Sequence, residues 1–172
     1  MKPMKYAIRC DWVAALLCAV LLWSTAVAAE SNDARQLDRA FPRSTLQIAT
    51  PDARLHKIDV WIADTEPRRA RGLMFVEHMA DDAGMLFIYP QPQPIAMWMK
   101  NTHLSLDMLF VSADGRVHSV VENTTPMSTN TISSNGVVLA VIELKAGSVA
   151  RMKIRPGAHV IHPAFKLGSG NG

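Results

Sequence analysis

A succession of short apolar runs, each ended by turn-forming residues, constrains the fold of this chain more than any other feature. The runs are rich in Val, Ile, Leu and Phe, and Pro, Gly and Asp stand between them. In one run Ile58, Val60 and Ile62 share a face, because side chains alternate between the two faces of a strand. The runs that we predict to be strands are Leu46–Ile48, Leu55–Ala63, Met85–Tyr89, Ile95–Lys100, Leu104–Ser112, Val117–Val121, Val137–Leu144 and Ala158–Ile161.

Turn and helix signals support this interpretation. Asp114-Gly115 lies between two apolar runs, as in a tight β-hairpin, since Gly tolerates the positive φ of the turn. A short helix is predicted over residues 66–71, with Pro67 in its first turn, and another over Ser148–Met152. The pattern therefore predicts a mainly β fold, an antiparallel β-sandwich or jelly-roll-like barrel with one or two short helices.

The N-terminal segment has the layout of a secretory signal peptide. Basic residues at positions 2, 5 and 9 precede the apolar run Trp12–Trp23, and Ala26-Val27-Ala28 then supplies a small-residue cleavage site. The run is shorter than the roughly 20 residues that a membrane-spanning helix needs. We therefore expect residues 1–28 to be removed, the mature protein to be periplasmic or secreted, and no transmembrane segment to remain after cleavage.

Removal of this segment changes the charge and the cysteine content. The full chain carries 18 Lys and Arg against 15 Asp and Glu, a net charge of +3. Residues 1–28 hold three of the basic residues, one of the acidic residues and both cysteines, so the remainder has a net charge of +1 and no thiol. This argues against a nucleic-acid partner and excludes disulfides and cysteine nucleophiles. The rest is predicted to be a flexible linker (29–45), one β domain (46–165) and a flexible tail (166–172).

Short motifs follow one another in a fixed order along the domain: Gly72-Leu73-Met74, Gly84-Met85-Leu86-Phe87, Trp98-Met99-Lys100-Asn101-Thr102, Leu106-Asp107 and Asp114-Gly115-Arg116-Val117. In this ordered set the chain resembles the bacterial and archaeal family catalogued as the domain of unknown function 192, over about residues 58–160. The resemblance implies a compact, mostly β, jelly-roll-like domain that is often exported. It implies no particular reaction.

Polar residues within these motifs form the candidate site. Lys100 can bind an anion, Asn101 and Thr102 can supply hydrogen bonds, and Asp107 can pair with Lys100 or hold a turn. Because polar groups among core hydrophobics need partners, a ligand site and a structural role both remain open. We predict a non-catalytic, envelope-associated or ligand-binding module without a cofactor, for a small polar or anionic ligand such as a saccharide. The predicted ligand-binding residues are Lys100, Asn101, Thr102, Asp107, Trp98 and Arg71.

Two alternatives use neighbouring residues. In the first, the protein is a hydrolase of envelope material with Asp107 and His103 as acid and base. In the second, it is a periplasmic copper protein in which the thioethers of Met97 and Met99, together with His103, bind Cu(I). Met also fills irregular gaps in β cores, which is the plainer interpretation of these side chains.

Overall fold

The structure is a computed structural model, and it describes residues 32–165. It contains a helix over residues 32–40 (α1) and two further helices, α2 (Glu66–Arg71) and α3 (Ser148–Met152). The strands are β1 (Arg43–Ala49), β2 (Leu55–Ala63), β3 (Ala83–Met97), β4 (Leu106–Val111), β5 (Val117–Val121), β6 (Ile132–Lys145) and β7 (His159–Ile161). No helix among these residues is long and apolar enough to cross a bilayer.

The strands form one curled sheet, a half-barrel, in the order β5-β4-β6-β3-β2-β1-β7. The prediction of a mainly β fold with few helices is confirmed. The antiparallel two-sheet sandwich is corrected to a single mixed sheet, since β2 and β3 pair in parallel. The physical reason is the connection over residues 64–82. It contains α2 and is long enough to carry the chain back to the starting end of β2, as a parallel pairing requires.

The two edge strands of the curled sheet meet at one end. The Val117 N–H donates to the Ala158 carbonyl at 2.8 Å, and the Val160 N–H donates to the Gly115 carbonyl at 2.7 Å. Arg116 and His159 form an isolated bridge at the same place. The turn Asp114-Gly115, predicted from the sequence, therefore joins β4 to β5 and also helps to bring β5 against β7.

Both faces of the central strands are buried, in two separate clusters. The inner cluster gathers residues such as Ile142 and Leu144 beneath α3. The outer cluster contains Leu37 of α1 and Met85 of β3. Strand β4 lies between the two clusters and every one of its residues is buried, which explains why its sequence is almost continuously apolar rather than alternating.

The two helices predicted from the sequence, α2 and α3, are present over the predicted residues. The structure differs from the predicted linker over 29–45, because residues 32–40 are helical and β1 begins at Arg43. Leu37 and Phe41 are buried in the outer cluster, and the Trp61 indole N–H donates to Asp38 at 2.8 Å. This packing fixes a segment whose composition is polar. The predicted signal peptide (1–28) and tail (166–172) lie outside the described residues.

Candidate functional site

A pocket of about 250 Å³ lies on the outer face of the sheet, between α2 and the end of β3. It brings together four of the residues predicted from the sequence: Arg71, Trp98, Lys100 and Thr102. A larger hollow of about 500 Å³ lies by the β4–β5 turn, but its charged side chains are exposed. We therefore take the first pocket as the candidate site.

Helix α2 forms one wall of this pocket. It begins after Thr65 and ends at Gly72, whose φ of 50° is in the left-handed region. A Cβ at Gly72 would lie 3.1 Å from the Phe87 ring, so glycine lets the chain pass close over β3. This close approach sets the end of α2, and with it Arg71, against the outer face of the sheet.

Arg69 is held in place along the same wall. Its guanidinium donates to the backbone carbonyls of Asp64 at 2.7 Å and Ile88 at 3.0 Å, and lies 5.0 Å from the centre of the Tyr89 ring. Neutral carbonyls leave the charge of Arg69 without an anionic partner among residues 32–165. The side chain is therefore positioned but not neutralised.

Arg71 and Lys100 add two further positive charges around the pocket. The Arg71 guanidinium lies 5.4 Å from the Phe41 ring, and the Lys100 ammonium lies 5.5 Å from the Trp98 ring. Neither forms an ion pair with a carboxylate in the described part of the chain. Trp98 is 51% exposed, so one aromatic surface beside Lys100 is accessible. The mouth of the pocket is cationic and partly aromatic.

Thr102 and Asn101 shape the loop under Lys100. Thr102 is buried, and its hydroxyl donates to the Lys100 carbonyl at 3.2 Å. Asn101 has a φ of 55°, its backbone carbonyl accepts the N–H of Phe75 at 2.9 Å, and it does not line the pocket. Asn tolerates the left-handed region better than most residues, so we assign Asn101 to the conformation of the loop.

Asp107 does not reach the pocket, although the sequence predicted it there. It is fully buried, and its two carboxylate oxygens accept the backbone N–H groups of Asn123 and Val149, both at 2.9 Å. It lies opposite Leu144 on β6, on the inner face of the sheet. Asp107 therefore fastens the loop after β5 (122–124) and the start of α3 to β4, and its role is structural.

Glu143 on β6 is a pocket residue that sequence reasoning missed, as are Arg69 and Tyr89. Its side chain lines the pocket although the residue is only 4% exposed. Its neighbours across the ladders are Met85 on β3 and Met108 on β4. Burial raises the pKa of Glu143 from 4.5 to about 8. The signal was available, because Glu143 is the one charged residue in the run Val137–Leu144.

The residues of the two alternative hypotheses are not brought together. Met97 lines the pocket and accepts a hydrogen bond from the Tyr89 hydroxyl at 3.7 Å, whereas Met99 is fully buried in the outer cluster. His103 is exposed and does not line the pocket. Asp107, the partner of His103 in the hydrolase hypothesis, already uses both oxygens on backbone N–H groups.

Comparison with known proteins agrees with the sequence motifs and the fold. The family model DUF192, described as "Uncharacterized ACR", matches residues 47–162. The chain belongs to the DUF192 family. Among the curated proteins no match to this DUF192 protein was found.

Two solved structures are similar to this DUF192 protein. One is a proposed transcription regulator from Sinorhizobium meliloti 1021, with 38% identity, a TM-score of 0.71, and coverage of 73% of this chain and 97% of the other. Another is a protein of unknown function from Novosphingobium aromaticivorans DSM 12444, with 32% identity, a TM-score of 0.67, and coverage of 70% and 85%. The family and the fold are therefore shown, and neither description names a ligand.

Proposed function

We propose that this DUF192 protein is a non-catalytic binding module that holds a small anionic molecule in the pocket between α2 and β3. The observation that carries the proposal is the arrangement of Arg69, Arg71 and Lys100 around one pocket, with no ion pair to any carboxylate among residues 32–165. Unpaired cations in a concave, partly apolar site attract an anion more strongly than cations on an open surface.

The kind of cation favours an oxyanion. A guanidinium presents a planar fork of N–H donors that matches a carboxylate or a phosphate, and an ammonium adds a point charge. Glu66 also lines the pocket, but it is exposed in the first turn of α2 and forms no ion pair within the described residues. The net charge around the mouth is therefore positive.

Fluorescence titration of the purified protein tests this proposal. The probes are inorganic phosphate, acetate and D-gluconate, and the signal is the change in tryptophan emission on binding. Trp98 is the half-exposed tryptophan at the pocket, whereas Trp61 is buried. Arg71→Gln should weaken binding of the best probe about tenfold, the effect of losing one charge-assisted contact. The matched control is Arg116→Gln, which removes the same charge from the other hollow. Equal affinity in the wild type and Arg71→Gln, or no binding of any probe, would refute the proposal.

We also propose that residues 1–28 direct export of the protein to the periplasm or the medium. The basic, apolar and small-residue segments in that order support it. Cell fractionation and determination of the N-terminal residue of the purified protein test it. The expected product begins at Ala29 and is found outside the cytoplasm, whereas an intact Met1 in the cytoplasmic fraction contradicts it.

Nucleic acid is not the partner that we propose. The description of the Sinorhizobium meliloti protein suggests regulation of transcription for that protein. In this chain residues 29–172 have a net charge of +1, and basic proteins bind nucleic acid mainly through a large excess of phosphate-neutralising charge. Salt-dependent retardation of duplex DNA at micromolar protein would overturn this choice.

A further inference from the structure

The floor of the pocket differs from its mouth. Glu143 supplies a carboxyl group there, between the side chains of Met85 and Met108 on the neighbouring strands. The carboxyl group has no hydrogen-bond or ion-pair partner within residues 32–165. Buried polar groups are nearly always hydrogen-bonded, so an unpartnered carboxyl group that opens into a pocket calls for a ligand group as its partner.

The protonation state of the floor follows from its surroundings. Burial raises the pKa of Glu143 to about 8, so at neutral pH the group is mainly a carboxylic acid. Burial also raises the pKa of Tyr89, despite the opposing charge of Arg69, so its hydroxyl keeps its proton. The charged and titratable groups that line the pocket around Glu143 are Glu66, Arg69 and Arg71 from α2, Tyr89 from β3 and Lys100 from the loop after β3.

A neutral carboxyl group and a cationic mouth recognise different parts of one ligand. A carboxylic acid donates a hydrogen bond through its O–H and accepts one through its carbonyl oxygen. An alcohol hydroxyl can pair with both, because it also donates one hydrogen bond and accepts others. The cations at the mouth require an anionic group. The volume of about 250 Å³ is below the range of drug-sized sites, about 300–1,000 Å³, and limits the ligand to a small molecule.

We propose that the ligand is a small hydroxy acid, that is, a sugar-derived or polyol-derived molecule that carries one carboxylate as well as hydroxyl groups. The carboxylate binds at the mouth near Arg71 and Lys100, and a hydroxyl group of the same molecule binds the carboxyl group of Glu143. The half-exposed ring of Trp98 offers an apolar surface for the carbon chain. This inference rests on the proposed anion-binding function and adds the class of ligand to it.

The test compares D-gluconate with acetate, which keeps the charge, and D-glucose, which keeps the hydroxyls. The wild-type protein should bind D-gluconate at least about tenfold more tightly than either, because it pairs one more group than acetate (the hydroxyl) or D-glucose (the carboxylate), and one such group is worth about that much. In Glu143→Leu the affinity for D-gluconate should fall to that for acetate, and the affinity for acetate should not change. Circular dichroism and thermal unfolding verify that the variant is folded.

A conservative variant of Glu143 distinguishes the effect of its carboxyl proton from the effect of its side-chain shape. Glu143→Gln keeps a donor and an acceptor but cannot ionise. Between pH 6 and pH 9 the wild type should lose affinity for D-gluconate as Glu143 ionises, and Glu143→Gln should retain it. A parallel loss in both proteins would overturn the role of Glu143.

The outcomes also distinguish the hydroxy-acid ligand from the anion-binding function on which it rests. If acetate and D-gluconate bind equally, and Arg71→Gln weakens both, the anion pocket stands and the hydroxy-acid ligand is wrong. If D-glucose binds as tightly as D-gluconate, the cations do not select the ligand, and the anion-binding function itself fails. If none of these three probes binds but inorganic phosphate does, the anion pocket stands and the hydroxy-acid ligand is wrong. If phosphate does not bind either, both proposals are contradicted.

Discussion

Asp107 and Glu143 are two buried carboxyl groups on neighbouring strands of one sheet. Asp107 on β4 lies opposite Leu144, and Glu143 on β6 lies opposite Met108, so the two groups are one position apart in the ladder. Since residues paired across a ladder share a face, Asp107 points into the inner cluster and Glu143 points to the outer face. The same sheet therefore carries one carboxyl group on each side.

The difference between the two groups is their partners. Asp107 accepts two backbone N–H groups at 2.9 Å, one of them from Val149 in the first turn of α3, where a negative charge is favourable. Glu143 has Met85 and Met108 as ladder neighbours and opens into a pocket. Burial alone does not identify a functional carboxyl group, whereas burial without a partner does point to one.

The largest effect that we expect is the pH dependence contributed by Glu143. The folded protein holds this proton more tightly than the unfolded chain, because burial raises its pKa from 4.5 to about 8. The stabilisation is thus fully present below pH 4.5 and is lost as the pH rises to about 8, up to about 5 kcal/mol in total. Urea unfolding at pH 5, 7 and 9 should show the free energy of unfolding of the wild type falling relative to Glu143→Gln. A constant difference between the two proteins would place Glu143 in an environment as polar as water.

Removal of Asp107 should destabilise the protein. Asp107→Ala leaves the buried N–H of Val149 and the half-buried N–H of Asn123 unpaired and should lower the free energy of unfolding by about 3 kcal/mol. The control is Asp114→Ala, which removes an exposed carboxylate that accepts the Arg116 N–H at 3.1 Å. Comparable denaturation midpoints for the two variants would show that the contacts of Asp107 do not hold the loop and α3.

Substitution by leucine should have opposite signs at the two positions. Glu143→Leu replaces an unpartnered buried polar group with an apolar one and should raise the free energy of unfolding at pH 7 by about 2 kcal/mol. Asp107→Leu should lower it, since the backbone donors lose their acceptor. Denaturant unfolding of the two variants measures both signs. A destabilised Glu143→Leu protein would mean that the carboxyl group is satisfied within the fold.

The smallest expected change in the free energy of unfolding comes from an exposed carboxylate, Asp81, and it serves as the reference for the buried carboxyl groups. Asp81 pairs with Lys145 at 2.9 Å and with Arg151 at 3.7 Å, and Lys145 holds the pKa of Asp81 below its usual range. Water screens this pair, so Lys145→Ala should lower the free energy of unfolding by less than about 1 kcal/mol. A loss as large as that of Asp107→Ala would show that surface pairing matters as much as buried pairing in this protein.

Much of the fold was predictable because local signals carry it. The positions of α2 and α3 follow from Pro67 and from short-range patterns, and the β character follows from the apolar runs. The parallel pairing of β2 with β3 was not predictable, because it depends on where the chain returns after residues 64–82. Helix α1 was missed because its stability comes from the burial of Leu37 rather than from its polar composition.

The candidate site was predictable only in part, for a similar reason. The motif Trp98–Thr102 contributes Trp98, Lys100 and Thr102 to the lining of one pocket, and their role as ligand-binding residues stays a prediction. Asp107 and Glu143 give the same sequence signal, a carboxylate within an apolar strand, and only distant contacts tell them apart. The N–H of Val149, which is 42 positions away from Asp107 in the chain, is one such contact.

The meeting of the two outermost strands bears on how the protein behaves when concentrated. An open strand edge is a template on which another molecule can add its own strand and begin a fibril. Here Val117 and Val160 already direct their N–H groups to carbonyls across the seam between β5 and β7. These donors are not available to a second copy of the protein that approaches this end. The hydrogen bonds between β5 and β7 must therefore break before a cross-β assembly can grow there.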